Sequence, residues 1–224
     1  TITNPLLMPI DFEDSTLNYS FVDFGNAQST VISNPDPTGV NTSSTVGQSV
    51  KFNGSEVWAG SFLTIDEPVD FSSLNNIAVD VWTSEIGEVV KLKLENSANP
   101  DINTEVDMTT TVNQGWETLI YDFSASDLSQ EYDRVVIFFD FGNSGDDTSY
   151  YFDNIRLSLP AVSNFMNVQD FEGETPSVFA FGNVTNDGIV SNPNSSGNNS
   201  TANAMQTTKP VGAETWGGTG FGVN

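Results

Sequence analysis

Short runs rich in Val, Ile, Phe, Tyr and Thr alternate along this chain with clusters of Asn, Ser, Asp, Gly and Pro. Almost no 3.6-residue periodicity is present, which is the signature of strands joined by turns. The pattern predicts strands over Met8–Glu13, Phe21–Gly25, Thr30–Ser33, Ser49–Asn53, Trp58–Asp66, Asn76–Thr83, Val89–Glu95, Thr104–Thr111, Trp116–Phe123, Arg134–Phe141 and Tyr150–Leu157. Lys91-Leu92-Lys93-Leu94-Glu95 alternates charged and apolar, so one face of that strand should be wet. Val135 to Phe139 is apolar throughout and should be a central strand covered on both faces. The segment Asn34–Ser44 is too punctuated by Pro and Gly to be a strand. Many short strands with turns at roughly 8–12-residue spacing predict an all-β fold, a two-sheet antiparallel β-sandwich of jelly-roll type.

The chain also repeats itself. Asp11-Phe12-Glu13 recurs as Asp170-Phe171-Glu172, and Phe24-Gly25-Asn26 as Phe181-Gly182-Asn183. Ser33-Asn34-Pro35 recurs as Ser191-Asn192-Pro193, and Glu56-Val57-Trp58-Ala59-Gly60 as Glu214-Thr215-Trp216-Gly217-Gly218. The offset stays between 157 and 159 residues, the size of a whole domain. Residues 1–160 are therefore expected to form one complete sandwich, with Ser158–Asn164 as a linker. Residues 161–224 hold the first part of a second, truncated copy, as in a tandem array. In the second copy the Asn34–Ser44 segment reads Asn192–Thr201 and loses Asp36 and Pro37, so no binding role is carried over to it.

Charge narrows the partners. Thirty acidic residues against six basic ones give a net charge of −24, which excludes nucleic acid as a partner, because phosphate binding needs clustered Lys and Arg. Anionic membranes and acidic polysaccharides such as alginate are disfavoured for the same reason, while a neutral polymer or a divalent cation is easily accommodated. No run approaches the length of a membrane-spanning helix, and no membrane insertion is expected.

His and Cys are both absent, which removes the usual bases, thiol nucleophiles and most transition-metal sites. Carboxylate chemistry is what remains. The chain lacks a Glu-x-Asp-x-x-Glu run and places its acids mostly in turns, so a glycosidase is not expected and the protein reads as non-catalytic. Three carboxylates look placed: Asp11 and Glu13, two apart on the first predicted strand, and Asp153 near the end of the last. First and last strands are neighbours in a jelly roll, so these acids should meet and hold a structural calcium with carbonyls from the Asn34–Ser44 loop. Among the aromatics, Trp58, Tyr19 and Trp82 are candidates to stack on sugar rings. Trp58 is favoured because the adjoining Ala59 and Gly60 would leave room beside the indole. Trp116 is expected to be packing.

Taken together, Asp11-Phe12-Glu13, Asn34-Pro35-Asp36-Pro37-Thr38-Gly39-Val40-Asn41-Thr42-Ser43, Trp58-Ala59-Gly60, Gly115-Trp116-Glu117 and Tyr151-Phe152-Asp153-Asn154-Ile155 resemble one family. It is the family 4-like jelly-roll type of carbohydrate-binding module, found in tandem in secreted laminarinases and surface glycan-binding proteins of marine Bacteroidetes. The resemblance implies binding of a neutral β-glucan, often β-1,3-linked, by a secreted or cell-surface protein with covalently linked neighbouring modules. It also implies a structural calcium on Glu13 and Asp153. The competing expectation is a structural or adhesive sandwich, a spacer whose aromatics are all packing.

Overall fold

The computed structural model describes residues 4–161, 171–172, 177–193 and 201–221, and the chain divides into two compact units, Thr1–Ala161 and Val162–Asn224. In the first unit ten strands follow one another: β1 (Val22–Phe24), β2 (Ala27–Ser33), β3 (Thr45–Lys51), β4 (Gly60–Thr64), β5 (Asn76–Thr83), β6 (Val89–Glu95), β7 (Asn103–Thr109), β8 (Gly115–Asp122), β9 (Arg134–Phe138) and β10 (Thr148–Ser158). They form two antiparallel sheets. The front sheet has the order β1-β4-β9-β6-β7 and the back sheet β2-β3-β10-β5-β8. The fold is the expected all-β sandwich.

Alternation decides what lies between the sheets. Leu63, Leu92, Leu94, Val135 and Ile137 point inward from the front sheet and meet Ile77, Val79, Val81, Leu119, Tyr121 and Phe152 from the back sheet in one core. The apolar run at Val135–Phe139 is buried residue by residue, and β9 lies between β4 and β6. β5 and β6 match their expected spans.

Several expectations need correction: β4 begins at Gly60, which leaves Trp58 in a loop outside the strand expected over Trp58–Asp66, and β9 ends at Phe138, short of Phe141. Met8–Glu13 is not a strand. Only Ile10 bridges to the last strand, opposite Ile155. Phe12 sits in the left-handed region at φ 56° with its ring in the core, which ends any extended run. Asp11 and Glu13 therefore do not share a strand face, and the Asp11 carboxylate instead accepts the Glu13 backbone N–H at 3.2 Å. The β2–β3 hairpin also starts earlier than expected on both strands, at Ala27 and Thr45. Apart from the buried Val46, its added positions are polar or small and carry little apolar signal.

The second unit contains β11 (Val178–Phe181), β12 (Thr185–Ser191), β13 (Asn203–Thr208) and β14 (Gly218–Phe221). β11 pairs with β14 and β12 with β13, both antiparallel. In the first unit β1 pairs with β4 and β2 with β3. Asp170, part of the repeated Asp-Phe-Glu, lies outside the described residues.

Candidate functional site

The outward face of the front sheet carries two kinds of side chain. One cross-strand row runs Phe24, Gly60, Phe138, Lys91, Asp107 from β1 to β7, and the next runs Val22, Phe62, Val136, Lys93, Glu105. On the β6–β7 side the charges pair off. Lys91 Nζ meets Glu105 at 2.6 Å and Asp107 at 3.0 Å, Lys93 meets Glu95 at 2.9 Å, and Arg134 meets Glu95 at 3.1 Å. Three cations and three carboxylates leave this face locally neutral in a chain of charge −24. On the β1–β4 side the row is aromatic. Trp58 stacks on Phe24 with ring centroids 6.1 Å apart, Phe138 meets Phe24 edge-on at 5.5 Å, and Phe141 meets Phe138 at 5.5 Å. Lys91 Nζ lies 4.4 Å from the Phe141 centroid and Arg134 lies 4.2 Å from that of Phe62, cation–π contacts that join the two halves.

Trp58 is 47% exposed and stands in the loop between β3 and β4. The small residues after it have a different reason from the one expected. Ala59 is buried, and a Cβ on Gly25 would come within 2.8 Å of the Ala59 Cα, so the β1–β2 turn presses directly against this loop. A Cβ on Gly60 would lie 2.5 Å from the Ile137 carbonyl oxygen and 3.2 Å from the Phe24 ring. Ala59 and Gly60 are small to seat the backbone and the Phe24–Phe138 contact beneath Trp58. They do not open space beside the indole. The loop is also held from below. Lys51, at the end of β3, is buried and donates from its amine to the backbone carbonyls of Asp140 (2.8 Å), Phe139 (3.1 Å) and Val57 (3.4 Å). Desolvation lowers the Lys51 pKa, partly offset by the charge of Asp140.

On the back sheet, the Asn34–Ser44 loop folds over the outward face. Asp36 is its anchor. Its carboxylate accepts the Trp82 indole N–H at 3.1 Å, and its backbone carbonyl accepts that of Trp116 at 2.7 Å. Trp82 also meets Tyr151 edge-on at 5.3 Å, and Trp116 is buried as expected. Beneath the same loop lies Asp153, fully buried, which accepts the Asn41 side-chain amide at 2.8 Å and the Asn154 backbone N–H at 2.7 Å. Burial pushes its carboxyl up to about 6, against the pull of the Ser43, Asn41 and Asn154 donors, with the nearby Asp80 charge adding to the rise. Arg156 is paired with Asp80 at 3.2 Å. Glu13 reaches the root of the loop, where it accepts the Thr45 N–H at 2.7 Å and the Thr45 hydroxyl at 3.0 Å. That backbone donor leads the effects holding its carboxyl below the usual range, against a smaller rise from burial. Among the described residues no group of three or more acids is placed to hold a metal, so Asp11, Glu13 and Asp153 do not form one carboxylate cluster.

Tyr19 packs edge-on against Phe12, 5.1 Å between centroids, at the margin of the core. Its hydroxyl is buried without a hydrogen-bond partner, and burial followed by the Asp11 charge raises its pKa. Trp58, Tyr19 and Trp82 thus have separate ring partners and are not brought onto one platform. Phe24 and Lys51 are site residues absent from the expected set, and Asp36 was marked only by its loss from the repeat. Phe24 and Lys51 carried a signal, because each has an identical counterpart in the repeat, Phe181 and Lys209.

No family model matches the chain, and no curated protein does. Among solved structures, one carbohydrate-binding module of the β-sandwich superfamily, from a study of promiscuous specificity, is similar with a TM-score of 0.48 and 14% identity. The match covers 67% of this chain and 61% of that one. A family 11 carbohydrate-binding module from Clostridium thermocellum, solved with a β-1,3-1,4-mixed-linked tetrasaccharide, gives 0.45 and 14% over 69% of this chain and 96% of that one. An exo-β-agarase gives 0.49 and 13% over 70% of this chain and 25% of that one. The chain thus spans about three fifths of the first of these structures and a quarter of the agarase. Each of these likenesses is one of fold alone. Among the described residues no helix is long and apolar enough to cross a membrane.

Proposed function

We propose that this chain binds a neutral polysaccharide without catalysis, a β-glucan of the laminarin kind, on the outward face of the front sheet. The observation that carries the reading is the half-exposed Trp58 stacked on Phe24, at the edge of a face whose charges cancel. Sugar rings offer flat C–H patches to an indole and hydroxyls to paired carboxylates and amines, and they carry no charge to be repelled. Five strands about 4.8 Å apart make the row from Phe24 to Asp107 roughly 19 Å across, enough for a short run of sugar residues. Tyr19 and Trp82 are left out of this contact set, because one packs on Phe12 and the other is tied to Asp36. Such a module works outside the cell, secreted or at the cell surface, as one of several covalently linked modules that hold an enzyme or surface protein to glycan.

The same reading includes a structural calcium at the Asn34–Ser44 loop. The fit rests on Asp153, a fully buried carboxylate with amide and N–H donors but no cationic partner among the described residues. Glu13 at the loop root is the second acid, and a hard cation would complete its ligands with loop carbonyls and amide oxygens. Its role would be to pin the loop across the back sheet.

Affinity electrophoresis against laminarin, mixed-linkage glucan, agarose and alginate tests the binding. Retardation by laminarin or mixed-linkage glucan but not alginate is expected. Trp58→Ala should cost roughly 2 kcal/mol of binding, about 30-fold in Kd. It should lower stability by only about 1 kcal/mol, the worth of one exposed aromatic pair, whereas a core Trp would cost about 3–5 kcal/mol. Undiminished laminarin binding by folded Trp58→Ala would remove Trp58 from the site. No retardation by any neutral glycan would favour the spacer.

A further inference from the structure

The second unit repeats the local contacts that the β1–β2 turn and the β3–β4 loop make around Trp58. Phe181 stacks on Trp216 at 6.3 Å and 9°, against 6.1 Å and 19° for Phe24 and Trp58. Gly182 and Asn183 take left-handed φ values of 67° and 58°, as Gly25 and Asn26 do at 67° and 68°. The Glu214 N–H donates to the Gly182 carbonyl at 3.0 Å, and the Glu56 N–H to that of Gly25 at 2.9 Å. A Cβ on Gly218 would come 3.2 Å from the Phe181 ring, the same clearance as at Gly60 over Phe24. The lysine is there too. Lys209 donates to the Thr215 carbonyl at 2.9 Å, where Lys51 donates to that of Val57 at 3.4 Å.

The Phe181–Trp216 stack and the Glu214–Gly182 hydrogen bond join residues more than thirty positions apart in sequence, and no low-complexity segment would reproduce them together. They set one aromatic residue outward on a braced loop, and Trp216 is 65% exposed. Among its described residues the second unit does not repeat Phe138, the Lys51 bonds to Phe139 and Asp140 or the paired charges of β6 and β7, and the counterpart of Asp36 is Asn194 in sequence. In the first unit Asp36 serves the back sheet and does not touch Trp58. Loss of that loop chemistry therefore leaves the platform intact.

We infer that Trp216 and Phe181 form a second platform for the same neutral glycan, so that one chain grips a polysaccharide at two points. This rests on the reading of Trp58 above. Two sites joined by one chain convert the second contact into an intramolecular one, which raises apparent affinity for a long polymer by about 10² to 10⁴ and leaves that for a short oligosaccharide unchanged.

The test uses the full chain, as wild type and as Trp58→Ala, Trp216→Ala, Trp216→Phe and the double Ala variant, titrated with laminarin and with its tetrasaccharide. Wild type should take up two tetrasaccharides, and each single Ala variant one. On laminarin Trp216→Ala should weaken binding at least tenfold, and Trp216→Phe should restore most of it. A wild-type stoichiometry of one that falls to zero with Trp58→Ala, with Trp216→Ala indistinguishable from wild type, overturns the second platform and leaves the first standing. If Trp58→Ala also binds both probes as wild type does, the reading of the front sheet fails and this inference fails with it. Unchanged circular dichroism in Trp216→Ala, expected for so exposed a side chain, assigns its loss to binding; a variant that loses binding by unfolding and is not rescued by Trp216→Phe counts against the platform.

Discussion

Replacing Glu88 by Gln should make this protein gain stability relative to wild type as pH rises from acid to alkaline. Glu88 stands just before β6, with one carboxylate oxygen buried and lacking a hydrogen-bond partner. Burial, followed by the charge of Asp140, pushes its carboxyl up to about 7. Glu85 and Asp146 push the same way and the Thr83 hydroxyl pulls against them. A carboxyl whose folded pKa is raised favours folding while it stays protonated in both states. That contribution is whole below the unfolded value of 4.5 and is lost as pH rises through 7. A rise from 4.5 to about 7 is worth roughly 3 kcal/mol. Glu88 keeps some solvent contact, so about 2 kcal/mol is a fairer figure. For a unit of this size that corresponds to roughly 4–8 °C in Tm.

The assay is a set of thermal melts of wild type and Glu88→Gln at pH 4 and pH 8. The new amide has its own burial cost, but that cost is the same at both pH values. The quantity to read is therefore the change in the gap between the two proteins. The gap should move in favour of the variant by about 4–8 °C from pH 4 to pH 8. A gap that stays constant would show that the Glu88 carboxylate is solvated when ionised, and the reasoning from its orphaned oxygen would be wrong.

Two further outcomes follow from the loops. Lys51→Met removes the amine donor from the carbonyls of Val57, Phe139 and Asp140, which should cost roughly 2 kcal/mol of stability and weaken laminarin binding by loosening Trp58; a variant with wild-type Tm and wild-type retardation would dismiss the brace. Calcium should raise Tm more at pH 8 than at pH 5, because the Asp153 carboxyl at about 6 must ionise to bind it, with about 2.7 kcal/mol gained at a hundredfold excess over Kd. Reversal by chelator and loss of the response in Asp153→Ala check this assignment, and a Tm indifferent to calcium at both pH values refutes it.

The architecture was legible because burial writes itself into the alternation of residues. β5 and β6 were readable to the residue, since Ile77, Val79 and Val81 on one strand and Leu92 and Leu94 on the other recur at every second position. What escaped was set by backbone geometry. Phe12 is apolar and flanked by residues that look extended, yet its left-handed φ turns Asp11 and Glu13 out of register. Nothing in the residue types there announces it. The start of β2 escaped for a related reason: Ser29 faces inward, bonded to Ser61 of the other sheet, and is buried, a position in which residue type usually signals the reverse. The exposure of Trp58 was read correctly from a wrong premise. Ala59 and Gly60 are small because Gly25, Phe24 and Ile137 crowd them, so smallness beside an aromatic marked close packing of the backbone and not an open subsite.

The distribution of the few cations bears on the choice of ligand more than the total charge does. Lys91, Lys93 and Arg134, half of the six basic residues, stand on one face, and each meets a carboxylate there. Glu105 and Asp107 are about half exposed, so these pairs contribute little to stability. Their larger effect is on the local field. Unpaired, Glu95, Glu105 and Asp107 would extend the repulsive potential of the rest of the surface across the Trp58 row. Paired, they offer charge-assisted donors and acceptors at zero local net charge. Lys91 and Arg134 also lie over the rings of Phe141 and Phe62, while Val22 and Trp58 at the β1 end stay about half exposed. An anionic polymer would still meet the net negative charge of the chain within a Debye length of this face. An uncharged polyol would meet a stacking surface at one edge and hydrogen-bonding groups across the remainder, and this is the basis on which a neutral glycan is proposed for this face.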